Sequence, residues 1–95
     1  MAAPSGGSAP AAALHVVVIS PDATVFEGQA DSVVAPAWDG QVGILRGHAP
    51  MMAVLGTGQV RVTRGGAEER FEVDGGFLQV VDNVVTVLSE RASAA

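Results

Sequence analysis

The chain has 95 residues, enough for one domain that buries roughly 60–65% of the surface its unfolded form exposes, so a second core is excluded. Ten acidic side chains against five arginines and no lysine leave a formal charge of −5, which opposes binding to a phosphate backbone and sets nucleic acid aside as a partner. Hydrophobic residues make up 48% of the chain but include only three Phe and one Trp, and there is no Cys. The core must therefore be aliphatic and led by valine, whose branched Cβ suits a pleated sheet, with no disulfide or thiolate metal site to support it.

Residues 1 to 13 combine Pro, Gly, Ser and Ala without a basic start or a continuous apolar centre. That composition predicts a flexible arm and not a secretory leader. The longest apolar runs, such as Val16 to Ile19, fall far short of the ~20 residues of a membrane helix, so direct membrane insertion is not expected. Leu14 to Ser20 reads as a buried strand that ends in the turn signal Ser20-Pro21-Asp22. His15 at its start is expected to be a capped surface histidine; a metal would need further ligands, and the other histidine is His48, far along the chain. Thr24 to Gly28 and Asp31 to Pro36 follow as short strands. Trp38, alone in the Pro36-Ala37-Trp38-Asp39-Gly40 loop, is read as a lid over one end of the core, with an interface anchor as the competing reading.

Residues 39 to 58 carry Gly40, Gly43, Gly47, Gly56 and Gly58 together with Pro50, a density of helix breakers that excludes a helix. The stretch predicts a series of tight corners, with short apolar pairs between them, that present Gln41, Arg46 and His48 to solvent. Beyond it the pattern is cleaner. Gln59 to Arg64 and Arg70 to Asp74 alternate with period two on either side of Gly65-Gly66, which predicts a half-exposed antiparallel hairpin. Arg61, Arg70 and Glu72 fall on its outward side, and Glu68 with Glu69 near its tip. Asp74-Gly75-Gly76 turns the chain into Phe77 to Val81, and Asp82-Asn83 closes another hairpin into Val84 to Leu88. Residues 91 to 95 read as a short tail. The expected fold class is all-β, a small β-sandwich or flattened barrel of about nine to ten short strands spanning residues 14 to 90.

Chemistry is poorly provided for. With no Cys, Lys or Tyr and no Gly-x-Ser-x-Gly segment, the chain offers no activated nucleophile, and no catalytic residue is assigned. The glycine-rich centre lacks the Gly-Lys-Ser/Thr signature and the following helix of a phosphate loop. No cofactor, metal or nucleotide is expected. Two function classes remain, an interaction module in a larger machine and a small-ligand-binding β-sandwich.

The run Asp39-Gly40-Gln41-Val42-Gly43-Ile44-Leu45-Arg46-Gly47-His48-Ala49-Pro50 resembles the Gly-x-x-Gly-Ile-x-x-Gly-His-Ala-Pro segment of the epsilon subunit of bacterial F-type ATP synthase. Val18-Ile19-Ser20-Pro21, Val25-Phe26-Glu27-Gly28, Gly75-Gly76-Phe77-Leu78 and then Val84, Thr86, Val87 and Leu88 match in the same order, so the resemblance covers roughly residues 14 to 90, the family's amino-terminal β domain. It implies a sandwich of two sheets in a non-catalytic central-stalk subunit. Such a subunit docks on gamma, touches the polar loops of the membrane rotor ring, and sits peripherally at the cytoplasmic face of the inner membrane. By position-wise match, Gln41, Arg46 and His48 with Pro50 and Met51 are expected at the end facing the ring or gamma, and Ser20 near the gamma side.

Two departures from the family pattern bear on these expectations. Gln41 stands where many members have an acidic residue, and Arg46 where many have proline, so charge pairing with an arginine on the ring loop does not carry over. The family usually continues into a pair of carboxy-terminal helices that inhibits hydrolysis and in some members binds ATP. No helical pattern precedes Ala95, and those functions are not expected of these residues.

Overall fold

The computed structural model describes residues 13–95, and the flexible arm expected over residues 1 to 13 lies, apart from Ala13, outside the described residues. Among the described residues the chain forms ten strands and no helix. They are β1 (Leu14–Ile19), β2 (Thr24–Ala30), β3 (Ser32–Ala37), β4 (Gly40–Leu45), β5 (Met51–Val54), β6 (Thr57–Arg64), β7 (Ala67–Asp74), β8 (Phe77–Val81), β9 (Val84–Leu88) and β10 (Ala92–Ala94). Two five-stranded sheets result, in the orders β2-β1-β9-β8-β5 and β10-β7-β6-β3-β4. All pairings are antiparallel except β1 with β9, which run parallel in the register Val84 to His15 through Leu88 to Ile19. The molecule is the expected β-sandwich.

Local chemistry explains the tight connections. Gly65 and Gly66, at φ 58° and 84°, close β6 onto β7 with Arg64 opposite Ala67, the two-residue loop whose twist matches the flanking strands. Asp82 and Asn83 adopt φ 49° and 64° between Val81 and Val84, a left-handed pair that Asx side chains tolerate better than other non-glycine residues.

Alternation along the strands drives one set of side chains inward. Nine of the sixteen buried apolar residues are valine, among them Val16, Val18, Val85 and Val87 from the first sheet and Val33, Val60 and Val62 from the second. The aliphatic core expected from composition is thus the core observed. One side of the sandwich is closed by Phe26 of β2 against Phe71 of β7, their ring centroids 5.1 Å apart at 46°, a tilted aromatic pair that bridges the sheets.

Three segments differ from their sequence-based reading. The glycine-rich centre is not a series of corners: Gly40–Leu45 runs as one six-residue strand straight through Gly43, and the reversal is confined to residues 46–50. A Cβ on Gly43 would meet nothing within 4 Å, so no corner demands glycine there. Ala92–Ala94, read as part of a tail, pairs with Phe71–Val73 of β7 and forms an edge strand. Trp38 is 74% exposed and covers no core, so the lid reading is corrected in favour of a presented aromatic.

The chain crosses between the sheets after β9, and two residues make that crossing possible. Gly76 has φ 108°, and a Cβ there would overlap the carbonyl oxygen of Leu88 and lie 2.7 Å from the Cα of Ser89. Ser89 is the buried polar residue among the described ones. Its backbone N–H donates to the Ile19 carbonyl at 3.0 Å, while its hydroxyl donates to the Arg91 carbonyl at 2.7 Å and accepts from the Asp74 N–H at 3.1 Å. One hydroxyl therefore joins β9 of the first sheet to the ends of β7 and β10 in the second.

On the outer face of the second sheet Arg61 lies directly opposite Arg70, and Glu68 reaches both, at 3.9 Å and 3.2 Å. The residue read as a solvent-facing hairpin-tip carboxylate thus separates two like charges. Glu68→Ala is expected to cost about 0.5–1 kcal/mol. Ser89→Ala is expected to cost about 1 kcal/mol because it removes the hydroxyl that bonds Asp74 and Arg91, whose backbone groups keep only their bond to each other. Gly76→Ala is expected to abolish the folded state. Thermal unfolding followed by circular dichroism checks all three, and equal melting temperatures for Ser89→Ala and the parent chain would disprove the role of the hydroxyl.

Candidate docking surface

An antiparallel sheet with one solvated face normally alternates apolar and polar residues. The second sheet does so: its outer face carries Gln59 bonded to Glu72 at 2.9 Å, Thr57 to Asp74 at 2.8 Å, and the Arg61-Glu68-Arg70 group. The first sheet does not. Its outward residues align in rows across β1, β9, β8 and β5, with Ile19, Leu88, Phe77 and Val54 in one row and Val17, Thr86, Gln79 and Met52 in the next. Val84 and Val81 continue the face beside His15. Six of the eight large exposed hydrophobics among the described residues, Met52, Val54, Phe77, Val81, Val84 and Leu88, lie on this face. Within it a shallow groove of about 340 Å³ is lined by Met52, Phe77, Gln79, Thr86 and Leu88. A contiguous apolar surface of this kind has the character of an interaction site. Near one end of the face the Trp38 N–H donates to the Val54 carbonyl at 2.9 Å, so the exposed indole adjoins it.

The structure does not bring the sequence-derived site residues together. Gln41 lies near the start of β4 and Arg46 just past its end, roughly 16 Å apart for an extended strand. The expectation that Gln41 shares one end with Arg46 and His48 is therefore corrected. Ser20 belongs to the same end as Gln41, in the turn between β1 and β2, where its hydroxyl donates to the Ala23 carbonyl at 3.2 Å. Arg46, His48 and Pro50 occupy the opposite end. Met51 is packed against the core and the presented methionine is its neighbour Met52, 66% exposed, because the pleat turns adjacent residues to opposite faces.

At the Arg46 end, the His48 N–H donates to the Leu45 carbonyl at 3.1 Å around Gly47, whose φ is 82°. This is the pattern of a type II turn, which favours proline at its second position and requires glycine at its third. Arg46 holds the second position, where the backbone favours proline. The Gly47 N–H donates to the Asn83 side chain at 2.7 Å, and the Asn83 carbonyl accepts from the His15 N–H at 2.8 Å. Asn83 thus clamps the corner to the β8–β9 hairpin and to the start of β1. The His48 ring donates from Nδ1 to the Ala49 carbonyl at 2.7 Å, leaving Nε2 of the neutral ring as an acceptor. His15 pairs through Nε2 with Glu27 at 3.0 Å. No group of three or more metal-ligating side chains occurs among the described residues.

Residues 13–95 match the model of the ATP synthase delta/epsilon chain β-sandwich domain. The chain belongs to this family. An ATP synthase epsilon chain of Rhodopirellula baltica is 46% identical over 79 residues, covering 83% of this chain and 62% of the relative. One from Synechococcus is 47% identical, with 83% and 58% covered. The chain thus spans about three fifths of the length of these relatives, whereas it covers 94% of an epsilon chain from Frankia casuarinae at 44% identity. Its fold resembles a chain in the mitochondrial ATP synthase of Euglena gracilis with a TM-score of 0.82, at 22% identity and covering 99% of this chain and 62% of that one. A chain of the Tetrahymena thermophila central stalk and ring gives 0.69 at 16% identity, with 83% and 64% covered.

The apolar face of this family member was missed residue by residue in the sequence. Its signal was nevertheless present: Val84-Val85-Thr86-Val87-Leu88 and Met51-Met52-Ala53-Val54 lack the alternation that the second sheet shows. In this type II turn Arg46→Pro is expected to be tolerated and to raise stability by about 0.5 kcal/mol, while Gly47→Ala lowers it by about 1 kcal/mol or more. Urea denaturation of the two variants checks this, and a destabilised Arg46→Pro protein would contradict the turn assignment.

Proposed function

We propose that the chain is a non-catalytic rotor subunit of the central stalk of an F-type ATP synthase. In this reading it lies peripherally at the cytoplasmic face of the membrane and couples proton translocation to ATP synthesis by linking gamma to the membrane rotor ring. The observation that carries the reading is the unalternated outer face of the first sheet, apolar over four strands in a chain of net charge −5. Gamma covers this face. A linking subunit needs a second surface, and the end bearing Ser20, Trp38 and Gln41 supplies it with an exposed indole beside a polar amide, the composition of an interface anchor. The ring contact lies at this end, with Gln41. Arg46, His48 and Pro50, at the far end, then face the gamma side with Met52 in place of Met51.

A small-ligand site is less well supported, since the groove on the apolar face is shallow and offers only Gln79 and Thr86 as polar partners.

The test is binding and coupling with a matching gamma chain and ring. Leu88→Asp and Phe77→Asp place an unpaired carboxylate in the face and are expected to weaken gamma binding at least tenfold, about 1.4 kcal/mol or more, with unchanged melting temperature. ATP-driven proton pumping in reconstituted vesicles is expected to fall with either variant. Gln41→Arg is expected to lower pumping without loss of gamma binding, and Gln41→Glu to preserve it. Full gamma binding by both carboxylate variants would remove the proposed interface.

A further inference from the structure

Each sheet has two edges, and three of the four are blunted. β10 is three residues long, β5 is four residues long with its Val54 carbonyl already held by Trp38, and β2 carries Glu27 and a register irregularity in its pairing with β1. Short length, charge and irregularity are the usual protections of an exposed strand edge. β4 has none of them. It is six residues of Gly-Gln-Val-Gly-Ile-Leu without a charge, paired among the described residues only with β3.

Its free backbone groups can be assigned. Pro36 faces Gln41 but has no N–H, and its carbonyl accepts from the Gly56 N–H at 2.7 Å. Pro36 and Gln41 are therefore a non-hydrogen-bonded pair, and the antiparallel pattern then turns the N–H and C=O of Gln41, Gly43 and Leu45 away from β3. Of these groups the Leu45 carbonyl is taken by the His48 N–H. Gln41, Gly43 and Leu45 are all exposed, and Gly43 hangs no side chain over the middle of the strand.

We infer that β4 is a strand-addition site, and that its occupant is an extended segment of the gamma chain. The inference rests on the proposed function and deepens it. Alternating free N–H and C=O groups are complementary to another extended backbone and to little else. The edge is also continuous with the apolar face, because Trp38 is bonded to Val54 of that face and lies two residues before β4. Arg46, exposed beyond Leu45 and without an ion pair among the described residues, selects a carboxylate at one end of the added strand, and Asp39 selects a basic or donor group at the other.

The experiment is amide hydrogen exchange on the full chain, alone and with a matching gamma chain. Alone, the Gln41, Gly43 and Leu45 amides are expected to exchange rapidly while Val42 and Ile44 are protected. With gamma, the three are expected to gain at least about 100-fold protection. Gly43→Pro, which removes the central donor at an edge position where proline is tolerated, is expected to weaken gamma binding about tenfold or more, whereas Gly43→Ala binds normally. If Gly43→Pro does not fold, protection in the parent chain alone decides. Gamma binding without protection of these amides, or with full binding by folded Gly43→Pro, overturns the inference and leaves the proposed function standing. Failure of gamma to bind the parent chain overturns both. Protection that rises with the concentration of the chain alone identifies a second copy as the occupant and overturns the assignment to gamma.

Discussion

The sandwich depends on a backbone passing closer to another backbone than any side chain would permit. Gly76 lies against Leu88 and Ser89, where a Cβ would overlap a carbonyl oxygen, and this contact brings the entrance of β8 against the exit of β9. Ser89 then carries the chain from the first sheet to the second, its amide held by Ile19 and its hydroxyl by the ends of β7 and β10. Without disulfides or large aromatics in number, an aliphatic core supplies most of the cohesion but little directionality. The hydrogen bonds at this crossing fix how the two sheets meet, and with them the outward rows of the first sheet.

Those rows divide the molecule chemically. The second sheet satisfies its outer polar groups within itself, through Gln59 with Glu72 and Glu68 with two arginines, and needs no further partner over that face. The first sheet leaves Met52, Val54, Phe77 and Leu88 exposed to water. The chain, a member of the ATP synthase delta/epsilon family, is thus polar and internally satisfied on one outer face and apolar on the other.

Much of this was legible in the residues. Strands Phe77–Val81 and Val84–Leu88 follow from the Gly75-Gly76 and Asp82-Asn83 turns that bound them, and the Gly65-Gly66 hairpin from period-two patterning on either side, signals that act locally. The glycine-rich centre was misread because glycine has two uses. Gly47 needs its positive φ, whereas Gly43 sits in ordinary extended backbone where any side chain would fit, and composition does not distinguish them. Ala92–Ala94 escaped notice because alanine and serine carry no strand signal; their pairing is imposed by β7. The site residues share a motif but not a place, since the four strand residues Val42 to Leu45 separate Gln41 from Arg46, and only the recognition of that segment as extended would have placed them at opposite ends.

The parallel pairing of β1 with β9 joins residues such as His15 and Val84, 69 positions apart (84 less 15). Such a contact closes a long loop, which makes folding slow and late relative to local hairpins. During synthesis the first strand must wait, one edge unpaired, until nearly the whole domain has left the ribosome. The rows of the apolar face run across β1 and β9 alike, so an unfinished chain cannot present them. The topology thereby keeps the apolar face incomplete until the chain has been made to the end of β9.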